Sequence, residues 1–180
     1  EMLVVPAPSA FSLAAARLGW SLPHTGLLSV HGRNLDLIRP HLQPGGRLLV
    51  LTSNGDGSAA LARLLRDLGF GGSRLTLLEA LGGPRERVRF TTAAAFDFDA
   101  VDPLNTVAIE VAAAPNARII ARSSGLADDL FEHDGQITKR EIRAITLSAL
   151  APRRGELLWD IGAGSGSIGI EWMLVHPSLR

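Results

Sequence analysis

Leu157-Leu158-Trp159-Asp160-Ile161-Gly162-Ala163-Gly164-Ser165-Gly166-Ser167 is the most informative stretch of this 180-residue chain. Glu156–Ile161 reads as a strand, Gly162–Gly166 as a tight loop and Ser167–Val175 as a helix. A strand, a glycine-rich turn and a helix make a nucleotide pocket for a physical reason. Glycines let the backbone turn sharply and approach a ligand closely. The helix that follows offers free N–H groups and the positive end of its dipole. Two motifs overlap in this loop. Gly164-x-Gly166-x-x-Gly169 fits the dinucleotide fingerprint. In the other phase Asp160 and one apolar residue precede Gly162-x-Gly164-x-Gly166, and the loop starts two residues before that fingerprint does. A structural turn with no ligand is the third reading.

Upstream, Thr138 occupies an N-cap position with Glu141 three residues on, a capping box. Ile142, Ile145 and Leu150 give the expected helix Lys139–Leu150 an apolar stripe, and Pro152 and Gly155 break it. From Ala113 to Gly135 the pattern is loop-like, with Arg118–Ala121 as one candidate edge strand. The first part of the chain alternates. Met2–Val5 reads as a strand end, and Ser9 as the N-cap of an Ala-rich helix stopped by Gly19. Leu27–Val30, Arg47–Thr52, Arg74–Glu79 and Thr106–Ala112 read as strands. Asn34–Leu42 reads as a weak helix, Ser58–Leu68 as a clear amphipathic one and Arg85–Val88 as a charged turn. Strands alternating with helices predict an α/β fold with a largely parallel core. The expected division is 1–122 as one domain, 123–135 as linker and 136–180 as the start of a second.

Composition narrows the class. Hydrophobic residues make up 46% and charged residues 20%, so a packed core is expected. The formal net charge is zero, which argues against a general nucleic-acid or membrane-surface binder. There is no cysteine, so disulfides, thiolate nucleophiles and Cys-type zinc sites are excluded. Apolar runs are strand-sized, far below the roughly 20 residues that span a bilayer. A cytoplasmic protein is expected. The chain starts inside an apolar run and stops just after a strand-loop-helix unit, so a fragment of a larger protein is expected too.

Asp160-Ile161-Gly162-Ala163-Gly164-Ser165-Gly166 resembles the first motif of class I methyltransferases, which bind S-adenosylmethionine. Together with Ile137-Thr138-Lys139-Arg140-Glu141-Ile142-Arg143-Ala144, it resembles the start of the decarboxylating methyltransferase domain of cobalamin synthesis. The resemblance implies cofactor contacts at Thr138, Asp160, Gly162, Ala163, Gly164, Ser165 and Gly166. The first half is similar to the C-terminal part of a tetrapyrrole methylase, a different methyltransferase fold. The stretches that carry this are Pro6-Ala7-Pro8-Ser9-Ala10, Ser29-Val30-His31-Gly32-Arg33 and Glu79-Ala80-Leu81-Gly82-Gly83-Pro84-Arg85-Glu86-Arg87. That likeness implies cofactor contacts at Ser9 and Ala10, although Pro6-Ala7 stands where the family has Pro-Gly. The two halves in this order resemble the bifunctional, decarboxylating corrin-precursor methyltransferases. The resemblance implies methylation of a precorrin-6Y-type substrate at two meso carbons, loss of an acetate carboxylate, and self-association of the intact protein.

The residues are compatible with that chemistry. Methyl transfer from a sulfonium is a displacement with an activated leaving group, so positioning and electrostatics suffice and no nucleophile is needed. A substrate rich in carboxylates wants basic contacts. Lys139, Arg140 and Arg143 are candidates, with a solvated helix face as the plain alternative. His31, in a His-Gly-Arg turn after a strand, is a further substrate candidate. His133 precedes the capping box and has no second ligand at metal spacing, the acids Asp128, Asp129 and Glu132 read as a solvated loop, and no metal is expected. Two other functions stay open. One is an NAD(P)-dependent oxidoreductase using the glycine loop. The other is a catalytically incomplete fragment, which would bind cofactor weakly or not at all.

Overall fold

Asn105–Glu110 (β5) explains the architecture of the first half. Five of its six residues are buried and only Glu110 reaches the surface, which requires a strand covered on both faces. In the computed structural model, which describes residues 2–180, β5 is the central strand of a five-stranded sheet. The others are β1 (Gly26–Ser29), β2 (Arg47–Leu51), β3 (Arg74–Glu79) and β4 (Arg87–Thr92). Their order across the sheet is β1-β2-β5-β3-β4.

Side chains alternate between two cores, as the period of two demands. Leu48, Val50, Leu75, Leu77, Val107 and Ile109 face one side. There they pack with Leu61 and Leu65 of helix α2 (Gly57–Asp67), and with Ile38, Leu42 and Phe70. Leu49, Leu78 and Ala108 face the other side, against Ala14 and Ala15 of helix α1 (Ala10–Leu18). Each fully buried Leu contributes about 1.5–3 kcal/mol of transfer free energy, so these two faces dominate the stability of the sheet.

The sheet corrects the expectation of a largely parallel core. Only β1 and β2 pair in parallel; β2–β5, β5–β3 and β3–β4 are antiparallel. β5 runs opposite to both of its neighbours, and the outer antiparallel pair is made by β4, whose first residues read as a charged turn. Its register sets Arg87 opposite Glu79 and Arg89 opposite Leu77. Both guanidiniums reach the buried Glu79 carboxylate, Arg87 at 2.7 Å and Arg89 at 2.9 Å. The Asp102 amide donates to it as well, at 2.9 Å. Burial alone would push the Glu79 carboxyl up; the hydrogen bonds from Arg87, Asp102 and Arg89 outweigh it and hold the group below its ordinary value.

Three smaller expectations also change. Met2–Val5 forms no strand, and its side chains are exposed, since no described strand pairs with it. Asn34–Leu42 is a 3-10 segment, Leu35–His41, started by the Asn34 side chain on the Asp36 amide. Pro40 within it removes a donor that an α-helix needs. Arg118–Ala121 forms no edge strand.

The chain divides into two compact units, Glu1–Ile119 and Ile120–Arg180. The second holds helices α3 (Arg140–Leu150) and α4 (Ser167–Val175), with a small apolar core of Leu147, Trp172 and Leu179 flanked by Leu158. Three readings of this region are corrected. Glu156–Ile161 is not a strand: Leu158 N–H donates to the Arg180 carbonyl and Arg180 N–H to the Glu156 carbonyl, while Glu156 N–H closes a local turn onto the Arg153 carbonyl. A strand needs a continuous ladder, and the described residues provide none here. The capping box is not formed either. Lys139, not Thr138, is the N-cap of α3, with no side-chain cap bond. Finally, Ile142, Ile145 and Leu150 are exposed, while Arg143 and Leu147 are the buried positions of α3. A buried arginine, not the apolar stripe, sets which face turns inward.

Candidate cofactor site

The glycine loop has the backbone that its composition requires. Gly162, Gly164 and Gly166 all take positive φ, at 79°, 56° and 67°, a region that costs a side-chain-bearing residue about 1–2 kcal/mol. A Cβ added at Gly162 or Gly164 would meet no atom within 4 Å. The glycines are therefore not there to avoid a clash within the chain. They leave the loop backbone bare. Gly166 is the N-cap of α4 and offers no side-chain cap, so the first amides of that helix face the loop without an internal acceptor. The Asp160 carboxylate folds over the first turn, with Oδ2 3.5 Å from where a Gly169 Cβ would lie.

Beside the loop is a cavity of about 380 Å³, lined by Gly164 and Ser165 and by Glu132, His133, Asp134 and Gln136. That volume lies in the range of small-molecule sites. Within the lining segment His133 Nδ1 accepts from the Gly135 amide at 3.0 Å, and Asp134 Oδ1 accepts from the Gln136 amide at 3.0 Å. Of this wall, Glu132 reads in the sequence as a solvated acid, and none of the four residues reads as part of a site. Their sequence carries no periodicity; only the fold brings them to the glycines.

A buried ion cluster holds the wall. Arg143 Nε donates to Glu171 at 2.8 Å and Nη1 to Asp128 at 2.7 Å. The same guanidinium donates to the carbonyls of Thr138 and Leu126, and it stacks over the Phe131 ring at 4.7 Å. Glu171 accepts in addition from the amides of Gly125 (2.7 Å) and Leu126 (3.0 Å). Burial would lower the Arg143 pKa, but the bonds to Glu171 and Asp128 raise it above its ordinary value. The Asp128 carboxyl is held low, first by its bond to Arg143, with Lys139 and His133 adding to the effect.

This geometry corrects one candidate. Arg143 is fully buried and all three of its nitrogens are engaged, so it has no face for a substrate. Lys139 and Arg140 stay exposed, at 63% and 58% of their side chains. Thr138 is exposed and lies two residues beyond the cavity wall. In the first unit, Ser9 caps α1 by accepting from the Ser12 amide at 3.1 Å, and Ala10 opens that helix. His31 is exposed beside the turn after β2, with Nδ1 3.4 Å from the Thr52 carbonyl. The adjacent Gly32 amide donates to Ser53 Oγ at 2.9 Å. No group of three or more His, Asp or Glu residues suited to a metal ion is present among the described residues.

The family model of the tetrapyrrole (corrin/porphyrin) methylases matches residues 1–97, over half of the chain. The chain belongs to that family. A second model, the precorrin methyltransferase domain, matches residues 129–180, which include the cavity wall and the glycine loop. A Sinorhizobium protein named precorrin-6Y C(5,15)-methyltransferase [decarboxylating] is 64% identical over 180 residues, covering all of this chain and 44% of that protein. The protein of the same name from Mycobacterium tuberculosis (strain ATCC 25618 / H37Rv) is 44% identical over 182 residues, covering 98% of this chain and 44% of its own length. The chain thus spans less than half the length of these curated relatives. Among solved structures, the C-terminal domain of the Rhodobacter capsulatus precorrin-6Y C5,15-methyltransferase is 57% identical, covering 34% of this chain and 32% of that one, with a TM-score of 0.32. Among the described residues, no helix is long and apolar enough to cross a membrane.

Proposed function

We propose that this tetrapyrrole methylase acts in S-adenosylmethionine-dependent C-methylation of a precorrin-6Y-type corrin precursor in cobalamin biosynthesis, at two meso carbons and with loss of an acetate carboxylate. The observation that carries this reading is the likeness to a precorrin-6Y methyltransferase along all 180 residues, across both structural units. A likeness to one unit alone would support only half of it. We assign 1–122 to the tetrapyrrole methylase-like domain, 123–135 to the connection and 136–180 to the opening of the class I methyltransferase domain.

S-adenosylmethionine, when bound, supplies a methyl group made electrophilic by the sulfonium, with a neutral thioether as leaving group. The residues fit such a ligand. Gly162, Gly164 and Gly166 leave bare backbone next to a cavity of about 380 Å³. Ala163 and Ser165 present the intervening amides, and Asp160 places a carboxylate at the loop entrance. Thr138 follows the opposite wall. In the first unit Ser9 and Ala10 form the matching contact at the start of α1, a helix N-terminus whose Ser9 hydroxyl is already committed to the Ser12 amide. The polycarboxylate substrate is met by the exposed cations Lys139 and Arg140, and by His31 in the first unit. Self-association of the whole protein is part of the same reading.

Parallel calorimetric titrations with S-adenosylmethionine, S-adenosylhomocysteine and NAD test it. Binding of the first two and not of NAD supports the reading. Binding of NAD alone overturns it in favour of an oxidoreductase. Binding of none supports the catalytically incomplete alternative.

A further inference from the structure

The second unit contains a fully buried arginine that the proposed chemistry does not use, and its bonds are arranged in a particular way. Leu126 and Asp128 lie at one end of the segment 126–138, and Thr138 lies at the other. The Arg143 guanidinium bonds both ends: the Leu126 carbonyl and Asp128 carboxylate, and the Thr138 carbonyl. Phe131, partway between, stacks against the same group. The four residues of the segment that line the cavity, Glu132, His133, Asp134 and Gln136, all lie between these anchor points. One guanidinium therefore closes a loop whose exposed tip is the cavity wall.

The other side of the cavity is tied to the same cluster. Glu171 lies four residues into α4, just over one turn from Ser167, where the glycine loop ends. Its carboxylate takes Arg143 Nε and the amides of Gly125 and Leu126. The helix that carries the glycine loop and the loop that carries the opposite wall are thus joined through one ion pair, shielded from water.

We propose that Arg143 and Glu171 are the positioning residues of the glycine-loop site, fixing the wall 132–136 at the distance from Gly164 and Ser165 that a nucleoside-bearing cofactor needs. This rests on the reading of that loop as a cofactor site. A planar, five-donor guanidinium suits the task better than lysine, because four separate chain positions, Leu126, Asp128, Thr138 and Glu171, are held at fixed angles to one another. Hydrophobic packing would hold the helices together without fixing the loop ends.

The last point supplies the test. In the double variant Arg143→Met with Glu171→Leu, both charges are replaced by apolar side chains, so neither is left buried alone. The melting temperature, the affinity for S-adenosylhomocysteine and the amide NMR shifts of Gly135 and Gln136, whose amides bond His133 and Asp134 and not the substituted side chains, are measured on the same preparations. A positioning role predicts a folded chain with native-like helix content, affinity reduced roughly ten-fold or more, and Gly135 and Gln136 shifts moved to those of an open loop. A purely structural pair predicts parental affinity and parental shifts once the variant melts like the parent, and that result overturns the proposal. Glu171→Gln, which keeps size and one acceptor, is read in the same assays and should give an intermediate loss; parental affinity and shifts in this variant also count against the proposal. If the parent itself fails to bind S-adenosylhomocysteine, the cofactor reading fails, and the amide shifts alone decide whether the pair shapes the wall.

Discussion

Arg143 of α3 and Glu171 of α4 meet at 2.8 Å with both side chains out of solvent, at 0% and 2% exposure. Breaking a buried pair by removing one partner typically costs about 3–5 kcal/mol, because the other charge is stranded. Glu171→Ala strands Arg143 in part and also leaves the Gly125 and Leu126 amides without their acceptor. A loss in that range is expected for the second unit. Thermal unfolding followed by the fluorescence of the buried Trp172, with Trp20 and Trp159 replaced by Phe in both proteins compared, measures it; a change below about 1 kcal/mol, typical of an exposed pair, would show the cluster to be loose.

Gly164 separates folding from binding. Its φ of 56° makes a side chain strained, yet a Cβ there meets no atom within 4 Å. Gly164→Ala should therefore cost about 1–2 kcal/mol of stability through backbone strain alone. It should cost more in cofactor affinity, since the methyl group projects where a ligand must approach. Calorimetric titration beside a thermal melt checks this, and unchanged affinity would remove Gly164 from the site.

Gly69 makes the opposite case. It has φ of 86°, and a Cβ there would lie 2.6 Å from the Ala117 Cα, a backbone atom that cannot swing away. Strain and overpacking add, so Gly69→Ala is expected to destabilise the first unit by roughly 2–5 kcal/mol. Urea unfolding gives the value. A neutral result would mean that the 114–118 segment is not held against Gly69 as the Ala114 N–H to Gly69 carbonyl bond indicates.

Glu79 predicts how the first unit responds to acid. Its folded pKa lies below the ordinary carboxylate value, so the unfolded chain takes up the proton first. The stability from its bonds to Arg87, Asp102 and Arg89 is complete above the unfolded pKa, near 4.5. It is lost as pH falls through the lowered folded value. Glu79→Gln should be less stable than the parent at neutral pH and should show a shallower loss below about pH 4.5. Equal slopes in the two proteins, from denaturant midpoints measured across that window, would contradict the assignment.

Much of the first unit was legible in the sequence. Thr106–Ile109 has no polar side except Thr106 itself, and it became the central strand. Leu61 and Leu65 carry helical spacing, and both are fully buried. The strand β4 was not legible, because alternating Arg87 and Arg89 look solvated until Glu79, on the neighbouring strand, is placed against them. In the second unit the glycine loop could be read from local backbone demands alone. The inward face of α3 could not, since apolar periodicity pointed to Ile142 and Ile145 while the partner that buries Arg143 lies 28 residues away. The same separation hid the cavity wall, a polar loop without pattern that becomes part of the site only through tertiary bonds.

The central claim is that the loop Asp160–Gly166 holds S-adenosylmethionine and not a dinucleotide. The most direct test is a pair of titrations of the same protein preparation, with S-adenosylhomocysteine and with NAD, repeated on Gly164→Ala. The account predicts saturable S-adenosylhomocysteine binding that weakens in the variant, and no NAD binding in either protein. Saturable NAD binding that Gly164→Ala abolishes, with no response to S-adenosylhomocysteine, would contradict it.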